Sequence, residues 1–586
     1  MKGVYGKIRH IYLSDQTTAT ENIPEDLYHK YLGGKGLATH LLTKLLDPGV
    51  DPLSSDNKLI IGLGPAVNTR VWGSSRYGVF TLSPQTGFLA HAYSGGRVAE
   101  QMGSAGCDAY VLHGAAMSPV HLVIDENGVA FEDAEDLWGQ DIFRTLDAVK
   151  DRVPGKAGSI AIGPAGENLV RMAIVGNDYW RCAGRCGVGT VLGSKKVKAI
   201  SFYGKTQKET TKSDVLQAFW DEIRGLGQDH PVIKAFKTHG TPGLVQTINQ
   251  VGAFPSRYWS QGSVKGWENI TAEALHTQCK VTPRACAKCL MACGRLTTVI
   301  KGRHKGLQCE GPEYETIYAF GGLCEITDIA EIVFLNDLCD RLGVDTMSGG
   351  NLAAFAIEAV RLGRVQGPWT YGDPDGVAAL LKDIAFKRGV GAVLAEGIRH
   401  AAEQWDMQDI AVHVKGLEPA AYDPRYFKGM GLAYATSDRG ACHLRSTVFK
   451  ASLAGNIAHD AIKGHAEQLI DYEDRLNIAD GLIVCRFYRD ILGWDGLARI
   501  IEGTMGATLD RNGLKKVAAN IRNASQRFNR KMGLTKADDT LPPRLFKEPL
   551  DNKHTITREE LETMRADYYR LRGWDEEGVP PDEDHQ

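Results

Sequence analysis

The feature that most constrains this chain is a group of three cysteines within eight residues, in the segment ACAKCLMAC. Cys286, Cys289 and Cys293 follow the spacing C-x-x-C-x-x-x-C. A short loop with this spacing can wrap an iron–sulfur cluster and supply three of its four thiolates, while the fourth comes from elsewhere in the chain. A group of buried cysteines and a zinc knuckle are the alternatives. Because zinc sites normally use two C-x-x-C pairs or added histidines, and no second pair occurs, a cluster is favoured.

Length and charge narrow the class of protein further. The chain has 586 residues, enough for two to four domains, and its 68 Lys and Arg nearly balance its 71 Asp and Glu. No segment concentrates basic residues, so nucleic acid is not an expected partner. No apolar run has the length of a signal peptide or a membrane span. Twelve cysteines are too sparse for a disulfide scaffold. We therefore expect a cytoplasmic protein that does not bind membranes.

Hydrophobic patterning divides the chain into a β-rich part and a mainly helical part. Up to about residue 205, apolar runs of strand length end at Gly, Pro or Asn-Gly, as in KLIIGLG, RYGVFTLS, DAYVLHG, VHLVID, SIAIGPAGE and VKAISFYG. From Ser213 onward the period becomes helical. Examples that close near a glycine are DVLQAFWDEIRGLG, DIAEIVFLNDLCDRLG, NLAAFAIEAVRLG and GVAALLKDIAFKRG.

Glycine-rich loops in the β-rich part suggest a large polar ligand. They read GLGPAV, YSGGRVAE, GPAGENLV and CAGRCGVGTVLGSKK. Backbone without side chains allows close approach, and its amides can cradle phosphate. The dinucleotide fingerprint G-x-G-x-x-G does not fit, because residues 184–189 read GRCGVG and no downstream acid is evident. Ordinary turns are the alternative explanation.

Two further segments share one pattern. Asp340 begins DRLGVD, which ends at Asp345, and Asp480 begins DGLIVC, which ends at Cys485. Each lies at the end of an expected helix and could present matching ligands to a pseudo-symmetric cofactor. Taken singly, an Asp at a helix end is usually a cap or a solvated residue. The second segment also offers Cys485 as the missing fourth thiolate.

These motifs together resemble the tungsten-dependent aldehyde:ferredoxin oxidoreductases, and the resemblance runs from YLGGKGLATHLL to RLRGWDEEG. It implies an α+β fold in which an N-terminal domain of two β-sheets forms a base for a cofactor. Two mainly α-helical domains would follow and enclose it. The implied boundaries are 1–208, 209–412 and 413–586. The implied cofactors are tungsten or molybdenum held by two pyranopterins, a [4Fe-4S] cluster, and Mg²⁺ between the pterin phosphates.

The resemblance also assigns ligands. The cluster ligands would be Cys286, Cys289, Cys293 and Cys485. The acids of the two pterin motifs would be Asp340, Asp345 and Asp480. The β-rich domain would contact the pterins and their phosphates through the GSKK loop and through Arg76, Ser94, Gly95, Arg185 and Gly187. Arginine suits phosphate because its planar fork binds bidentately, although a surface role is the alternative for both arginines.

The same resemblance implies a catalytic pair. Glu315, in Glu-Tyr-Glu-Thr, and His443, in Gly-Ala-Cys-His, match a carboxylate and an imidazole beside the metal. Aldehyde oxidation needs a donor to the carbonyl oxygen, here His443, and a base that collects protons, here Glu315. Either residue alone would more often be structural. Glu313 is a rival base within the same motif, and Glu310 is a weaker one.

One departure and several partners follow from the family pattern. Some family homodimers share an iron held by Glu-x-x-His on the helix before the first pterin motif, and EIVFLNDLCD contains no histidine. We therefore do not expect that bridging metal, although a homo- or hetero-oligomer stays open.

No flavin or nicotinamide signature occurs, so ferredoxin or a small iron–sulfur subunit is the implied electron acceptor. The alternatives are a reductase subunit of the benzoyl-coenzyme A reductase type and a non-catalytic iron–sulfur module.

Overall fold

Three β-sheets are present in the computed structural model, which describes residues 1–227 and 229–582. The strands are β1 (Lys7–Tyr12), β2 (Thr17–Asn22), β3 (Leu59–Gly62), β4 (Tyr77–Leu82), β5 (Leu89–Ser94), β6 (Ala109–His113), β7 (Val120–Ile124), β8 (Val129–Asp133), β9 (Gly158–Ala161), β10 (Val175–Asn177), β11 (Arg181–Ala183), β12 (Val197–Phe202), β13 (Cys279–Arg284), β14 (Gly294–Val299) and β15 (Gln308–Glu310).

Helices dominate the chain after β12. They are α1 (Glu25–Tyr31), α2 (Gly34–Leu45), α3 (Val98–Ser104), α4 (Ile142–Lys150), α5 (Pro164–Glu167), α6 (Val188–Ser194), α7 (Ser213–Leu226), α8 (Pro231–His239), α9 (Leu244–Gln250), α10 (Ala272–Gln278), α11 (Tyr314–Ile317), α12 (Ile329–Leu342), α13 (Thr346–Arg361), α14 (Pro374–Ala385), α15 (Val390–Ala395), α16 (Ile398–Gln404), α17 (Lys428–Thr436), α18 (Phe449–Leu453), α19 (His465–Leu482), α20 (Arg489–Met505), α21 (Arg511–Lys531), α22 (Pro543–Lys547) and α23 (Arg558–Arg572). A π-helical turn, Tyr318–Leu323, follows α11, and 3-10 turns include His443–Arg445 and Arg486–Tyr488.

The first sheet has six strands in the order β2-β1-β6-β3-β4-β5. Its β1–β6 pairing is parallel, and its other pairings are antiparallel. All residues of β3 and β4 are buried. Strands with both faces covered read as continuous apolar runs instead of alternating ones, which is why these two strands are evident in the sequence.

The second sheet also has six strands, in the order β11-β10-β9-β12-β7-β8, and β12 pairs with β7 in parallel. Helix α4 packs against it through Ile142, Phe143, Leu146 and Val149. The Asp141 side chain accepts the Arg144 backbone N–H and so caps the start of this helix. The two sheets together make the N-terminal region β-rich, as the sequence predicts.

The chain forms two compact units. Unit 1 comprises residues 1–234, 285–291 and 473–534, and unit 2 comprises residues 235–284, 292–472 and 535–586. The three-stranded sheet β13-β14-β15 and most of the later helices belong to unit 2. The three-domain boundaries at 208/209 and 412/413 stay a prediction, because this grouping of contacts does not test them.

The α+β class is confirmed, since two six-stranded sheets precede a mainly helical remainder. Within residues 1–227 and 229–582, no helix is both long enough and apolar enough to cross a membrane.

Candidate active site

Three of the four candidate cluster cysteines lie in unit 1. Cys286 and Cys289 belong to the loop between β13 and β14, and Cys485 follows α19. The backbone of Gly73 joins the two segments, because its N–H donates to the Lys288 carbonyl at 2.7 Å and its carbonyl accepts the Cys485 N–H at 2.9 Å. The structure therefore brings the distant Cys485 to the loop that the cysteine spacing identifies.

A glycine and an arginine of the β-rich region lie against these thiols. A Cβ atom on Gly95 would lie 2.7 Å from Cys286 Sγ and 3.3 Å from Arg76 Nη1, so a side chain there would displace one of them. Arg76 Nη1 is also 3.9 Å from Cys485 Sγ, and its Nη2 donates to the Tyr93 carbonyl at 3.5 Å. Two residues predicted to contact pterin, Arg76 and Gly95, thus lie directly beside two candidate cluster ligands.

Cys293 belongs to unit 2, where a buried arginine holds its backbone. The Arg295 guanidinium donates to the carbonyls of Lys237 at 2.7 Å, of Thr238 at 2.9 Å, and of Ala292. Burial lowers the pKa of Arg295, and the neighbouring Cys293 opposes that shift. Sequence reasoning missed Arg295, because an arginine that serves backbone carbonyls carries no motif.

In the part of the chain that the structure describes, no three His, Cys, Asp or Glu side chains converge on one metal-ion position. A [4Fe-4S] cluster takes one thiolate on each of its four irons, so a set of cysteine thiols fits such a cluster by its chemistry.

Each of the two Asp motifs contains the same kind of backbone bend. Gly343 has φ of 79°, and its counterpart in the second motif, Ile483, has φ of 51°. After each bend the next N–H reaches back five residues, from Val344 at 2.9 Å and from Val484 at 2.8 Å. This is the helix-ending pattern of a left-handed residue followed by a 6→1 bond. A β-branched residue is strained at positive φ, and such strain is concentrated at functional sites.

The first-motif acids are both buried in unit 2. Asp340 Oδ2 accepts the Asn336 side-chain N–H at 2.8 Å, and Asp345 Oδ2 accepts the Ser348 backbone N–H at 3.2 Å. Asp345 is the N-cap of α13. Part of its role is therefore local, because an N-cap carboxylate satisfies one of the free amides at the helix start.

Asp480 of the second motif is buried in unit 1 and forms an ion pair with Arg486 at 2.5 Å. The Arg486 guanidinium also lies over the Tyr93 ring, 4.9 Å from its centroid. A buried carboxylate needs such compensation, and the sequence pattern did not reveal the partner.

The remaining β-domain residues are partly explained by local packing. Ser94 Oγ donates to Asn177 at 2.6 Å. Gly187, the N-cap of α6, has φ of 71°, and a Cβ on it would lie 2.2 Å from the Arg171 carbonyl oxygen. Gly187 is therefore required by the backbone itself. Arg185 is buried. Cofactor contacts for all of these residues stay predictions.

The lysines of the GSKK loop serve the protein backbone. Lys195 Nζ donates to the carbonyls of Asn57 at 2.6 Å and Gly114 at 2.8 Å, and Lys196 Nζ donates to Met117 at 2.6 Å. Burial lowers the pKa of Lys195 to about 7. The expected contact of the GSKK loop with the pterins and their phosphates stays a prediction.

The candidate catalytic pair is assembled in unit 2. His443, in a 3-10 turn, places Nε2 3.4 Å from Oε1 of Glu315, which lies in α11. The other oxygen of Glu315 accepts the Ala421 N–H at 3.0 Å. Both side chains are largely buried, at 12% and 14% exposed. The structure thus brings together the two residues that the family resemblance pairs as carbonyl donor and base.

Three buried phenols fix the backbone that supports Glu315. Tyr314, Tyr318 and Tyr434 donate to the carbonyls of residues 421, 419 and 420, at 2.9, 3.1 and 3.0 Å. Burial raises the pKa of Tyr314 and Tyr434 well above the ordinary value, and the nearby Glu315 carboxylate adds to both shifts. Both phenols therefore stay protonated donors. Sequence reasoning missed this layer, because apolar neighbours make the tyrosines look like ordinary core residues.

The rival acids have other partners. Thr241 Oγ1 donates to Glu313 and accepts the Tyr314 backbone N–H at 2.9 Å. Glu310 lies 3.5 Å from Arg284. Each rival thus has an evident structural role, which favours Glu315 over Glu313 as the partner of His443.

Comparison with known proteins decides the family. The family model for the N-terminal domain of aldehyde ferredoxin oxidoreductase matches residues 8–204. The family model for domains 2 and 3 of aldehyde ferredoxin oxidoreductase matches residues 218–586. The chain belongs to the aldehyde ferredoxin oxidoreductase family. The family prediction is therefore confirmed, and the protein is an oxidoreductase of this family.

Relatives extend over the whole chain. The tungsten-containing aldehyde ferredoxin oxidoreductase of Pyrococcus furiosus is 36% identical, over 100% of this chain and 98% of its own length. The aliphatic sulfonate oxidoreductase WOR-like subunit of the same organism is 28% identical, over 99% of this chain and 96% of its own length. A chain in the structure of the active-site complex BamBC of benzoyl coenzyme A reductase has a similar fold, with a TM-score of 0.84 and 20% sequence identity. The match covers 100% of this chain and 96% of the benzoyl coenzyme A reductase chain.

Buried hydroxyls test whether the residues fit the family's cofactor. Ser437, Ser446 and Thr447 are buried, and their side-chain oxygens have no hydrogen-bond partner among the described residues. Thr447 also has φ of 137°. Buried polar groups normally have partners, so unpartnered hydroxyls on the segment that carries His443 fit a ligand rich in hydrogen-bonding groups, such as a pterin. No sequence motif marked these three residues.

Proposed function

We propose that the protein oxidises an aldehyde with water to a carboxylic acid and passes the two electrons to ferredoxin or a small iron–sulfur subunit. The observation that carries this proposal is the buried pair of Glu315 and His443, 3.4 Å apart in a chain that matches the family along its length. The balance is RCHO + H₂O → RCOOH + 2H⁺ + 2e⁻, so the site has to move two protons and two electrons.

His443 and Glu315 divide the proton work. His443 Nε2 donates a hydrogen bond to the aldehyde oxygen and polarises the carbonyl for attack by water. Glu315 Oε1 lies within reach of the same imidazole and accepts the proton that water loses. The Ala421 N–H on Oε2 keeps the carboxylate oriented while Oε1 exchanges its proton.

The cofactor follows from the family and from the donor set. A tungsten or molybdenum bis-pyranopterin with Mg²⁺ would be held by Asp340, Asp345 and Asp480, by the hydroxyls of Ser437, Ser446 and Thr447, and by Arg76, Ser94, Gly95, Arg185 and Gly187. A [4Fe-4S] cluster would be held by Cys286, Cys289, Cys293 and Cys485. When bound, the tungsten or molybdenum would supply two-electron redox chemistry, and the cluster would supply one-electron transfer to the acceptor.

We infer that the protein works with a partner chain in the cytoplasm. A relative named as a WOR-like subunit and a structural neighbour that is part of a complex favour a protein that works with another chain. The cytoplasmic location predicted from the sequence is retained. The benzoyl coenzyme A reductase likeness rests on 20% identity and concerns the fold, whereas the aldehyde ferredoxin oxidoreductase likeness reaches 36% over the whole chain. We therefore favour aldehyde oxidation over acyl-coenzyme A reduction.

Metal analysis and an activity assay test the proposal together. Protein purified without oxygen is expected to contain one tungsten or molybdenum and about four irons per chain. It is also expected to reduce a viologen dye when an aldehyde is added. Metal-loaded protein that reduces no dye with short aliphatic, branched or aromatic aldehydes would contradict the reaction. Protein with iron but no tungsten or molybdenum would favour the electron-transfer alternative.

A further inference from the structure

The phenol of Tyr488 lies against a candidate cluster cysteine that is far from it in the sequence. Its hydroxyl oxygen is 3.7 Å from Cys289 Sγ. The same oxygen accepts the Leu290 backbone N–H at 2.7 Å. Tyr488 is completely buried, and all three residues belong to unit 1. The sequence motifs that identify the cluster loop do not predict this contact.

The two contacts of the phenol oxygen indicate where its hydrogen points. A tyrosine hydroxyl has one hydrogen and can also accept hydrogen bonds. Since the oxygen already accepts from Leu290, its own hydrogen is available for Cys289 Sγ. A hydrogen bond to a thiolate is charge-assisted and therefore stronger than one to a neutral thiol.

Tyr488 also belongs to the turn that delivers Cys485. Its backbone N–H donates to the Cys485 carbonyl at 3.0 Å, within the Arg486–Tyr488 turn. A Cβ on Gly73 would lie 2.8 Å from the Tyr488 ring and 3.1 Å from Cys485 Cβ, so the ring packs directly on the glycine that joins the two cysteine segments. One side chain thus contacts both segments that supply thiols in unit 1.

We infer that Tyr488 is a positioning residue which, through its hydrogen bond to Cys289, raises the reduction potential of the cluster. The inference rests on the cluster of the proposed function. Hydrogen bonds to the sulfurs are among the factors that set iron–sulfur potentials. The positive end of the O–H dipole stabilises the extra negative charge of the reduced cluster, so its removal makes reduction harder.

The test is a redox titration of the cofactor-loaded Tyr488→Phe variant. The electron paramagnetic resonance signal of the reduced cluster measures the extent of reduction at each potential. Phenylalanine keeps the ring on Gly73 and removes only the hydroxyl. We expect a more negative midpoint potential than in the wild type. Tyr110→Phe is the matched control, because it removes another buried hydroxyl of unit 1, one that donates to the Met102 carbonyl at 2.6 Å. Its potential should stay unchanged.

A second readout separates the hydrogen bond from general packing. Deuterium exchange followed by electron–nuclear double resonance should show an exchangeable proton that is coupled to the cluster. This proton should be absent in Tyr488→Phe and present in Tyr110→Phe. An unchanged or higher potential in Tyr488→Phe, or the same exchangeable proton in that variant, would overturn the inference. Lower iron content in Tyr488→Phe does not confuse the result, because the titration follows only loaded protein. A wild type without a cluster signal would instead refute the proposed function.

Discussion

His443 Nε2 lies 3.4 Å from Glu315 Oε1, and the opposite oxygen of Glu315 is fixed by the Ala421 N–H. One carboxylate oxygen is therefore held by the backbone while the other faces the imidazole. Three tyrosine hydroxyls fix residues 419–421 in turn, so the orientation of Glu315 depends on a buried layer behind it. Such a layer is what a proton-transfer pair needs to keep its geometry during turnover.

Substitution of this pair should reduce turnover without loss of cofactor. In Glu315→Gln the amide oxygen can still accept from Ala421, but the side chain no longer acts as a base, and His443→Ala removes the donor. We expect each to slow aldehyde oxidation on the order of a hundredfold or more, mainly in kcat, with tungsten and iron content unchanged. Viologen-coupled kinetics and metal analysis give both quantities.

Glu313→Gln is the comparison variant for this pair. Glu313 is bonded to Thr241, so its replacement should lower thermal stability while turnover stays near normal. If Glu313→Gln abolishes turnover and Glu315→Gln does not, the base is Glu313. If neither variant is impaired, the proposed mechanism fails.

Replacing Cys485 should damage the cluster as much as replacing a cysteine of the loop. The Cys485 N–H is bonded to Gly73, which also binds the loop at Lys288, so the thiol is placed at the loop although it is distant in sequence. We expect Cys485→Ala and Cys289→Ala to lose comparable amounts of iron, measured per chain after anaerobic purification. Cys107→Ala, at a fully buried thiol of the same unit, controls for removal of a cysteine. Full iron content in Cys485→Ala would mean that another residue is the fourth ligand.

The sequence predicted the elements whose signal is local. Strands β3 and β4 are buried on both faces and appear as continuous apolar runs, and α12 ends at Gly343 in the left-handed conformation that its C-cap glycine indicates. Strand β2 was not anticipated, because all six of its residues are exposed and carry no apolar pattern. Strand β13 contains Pro283, which argues against a strand in any reading from sequence alone.

The site shows the same division. The cysteine spacing is local and was recognisable, whereas the Arg76 contact with Cys485 depends on folding that brings distant segments together. The family resemblance favours Glu315 as the base but leaves Glu313 as a rival, because both acids occur in one four-residue motif. Only the fold places one of them beside Thr241 and the other beside His443.

Asp345 offers a way to separate helix capping from cofactor binding. Asparagine is as good an N-cap as aspartate, whereas alanine costs about 1 kcal/mol of stability at such a position. We therefore expect Asp345→Ala to lower the melting temperature and Asp345→Asn to leave it nearly unchanged. If the carboxylate also binds pterin, both variants should contain less tungsten and less pterin, the latter measured as its fluorescent oxidation product. Full loading and activity in Asp345→Asn would limit this residue to capping.

Acid sensitivity should arise in part from His465, which begins α19. Its ring is buried against Gly429, neither ring nitrogen has a hydrogen-bond partner among the described residues, and burial lowers the pKa of His465 to about 4. The ordinary value is about 6.5. Between these two values the unfolded chain binds a proton that the folded chain does not, so stability falls as pH falls. The loss should approach about 3 kcal/mol near pH 4 and vanish above about pH 6.5.

His465→Leu replaces the ring with an apolar side chain and removes this titration. At pH 7.5 the variant should be as stable as the wild type or slightly more stable, because no buried polar nitrogen is left unpaired. Its melting temperature should then increasingly exceed that of the wild type as pH falls from 6.5 to 4.5. His276→Gln, at an exposed histidine, is the control and should follow the wild type throughout. A constant difference between His465→Leu and the wild type at every pH would show that His465 is not a buried neutral base.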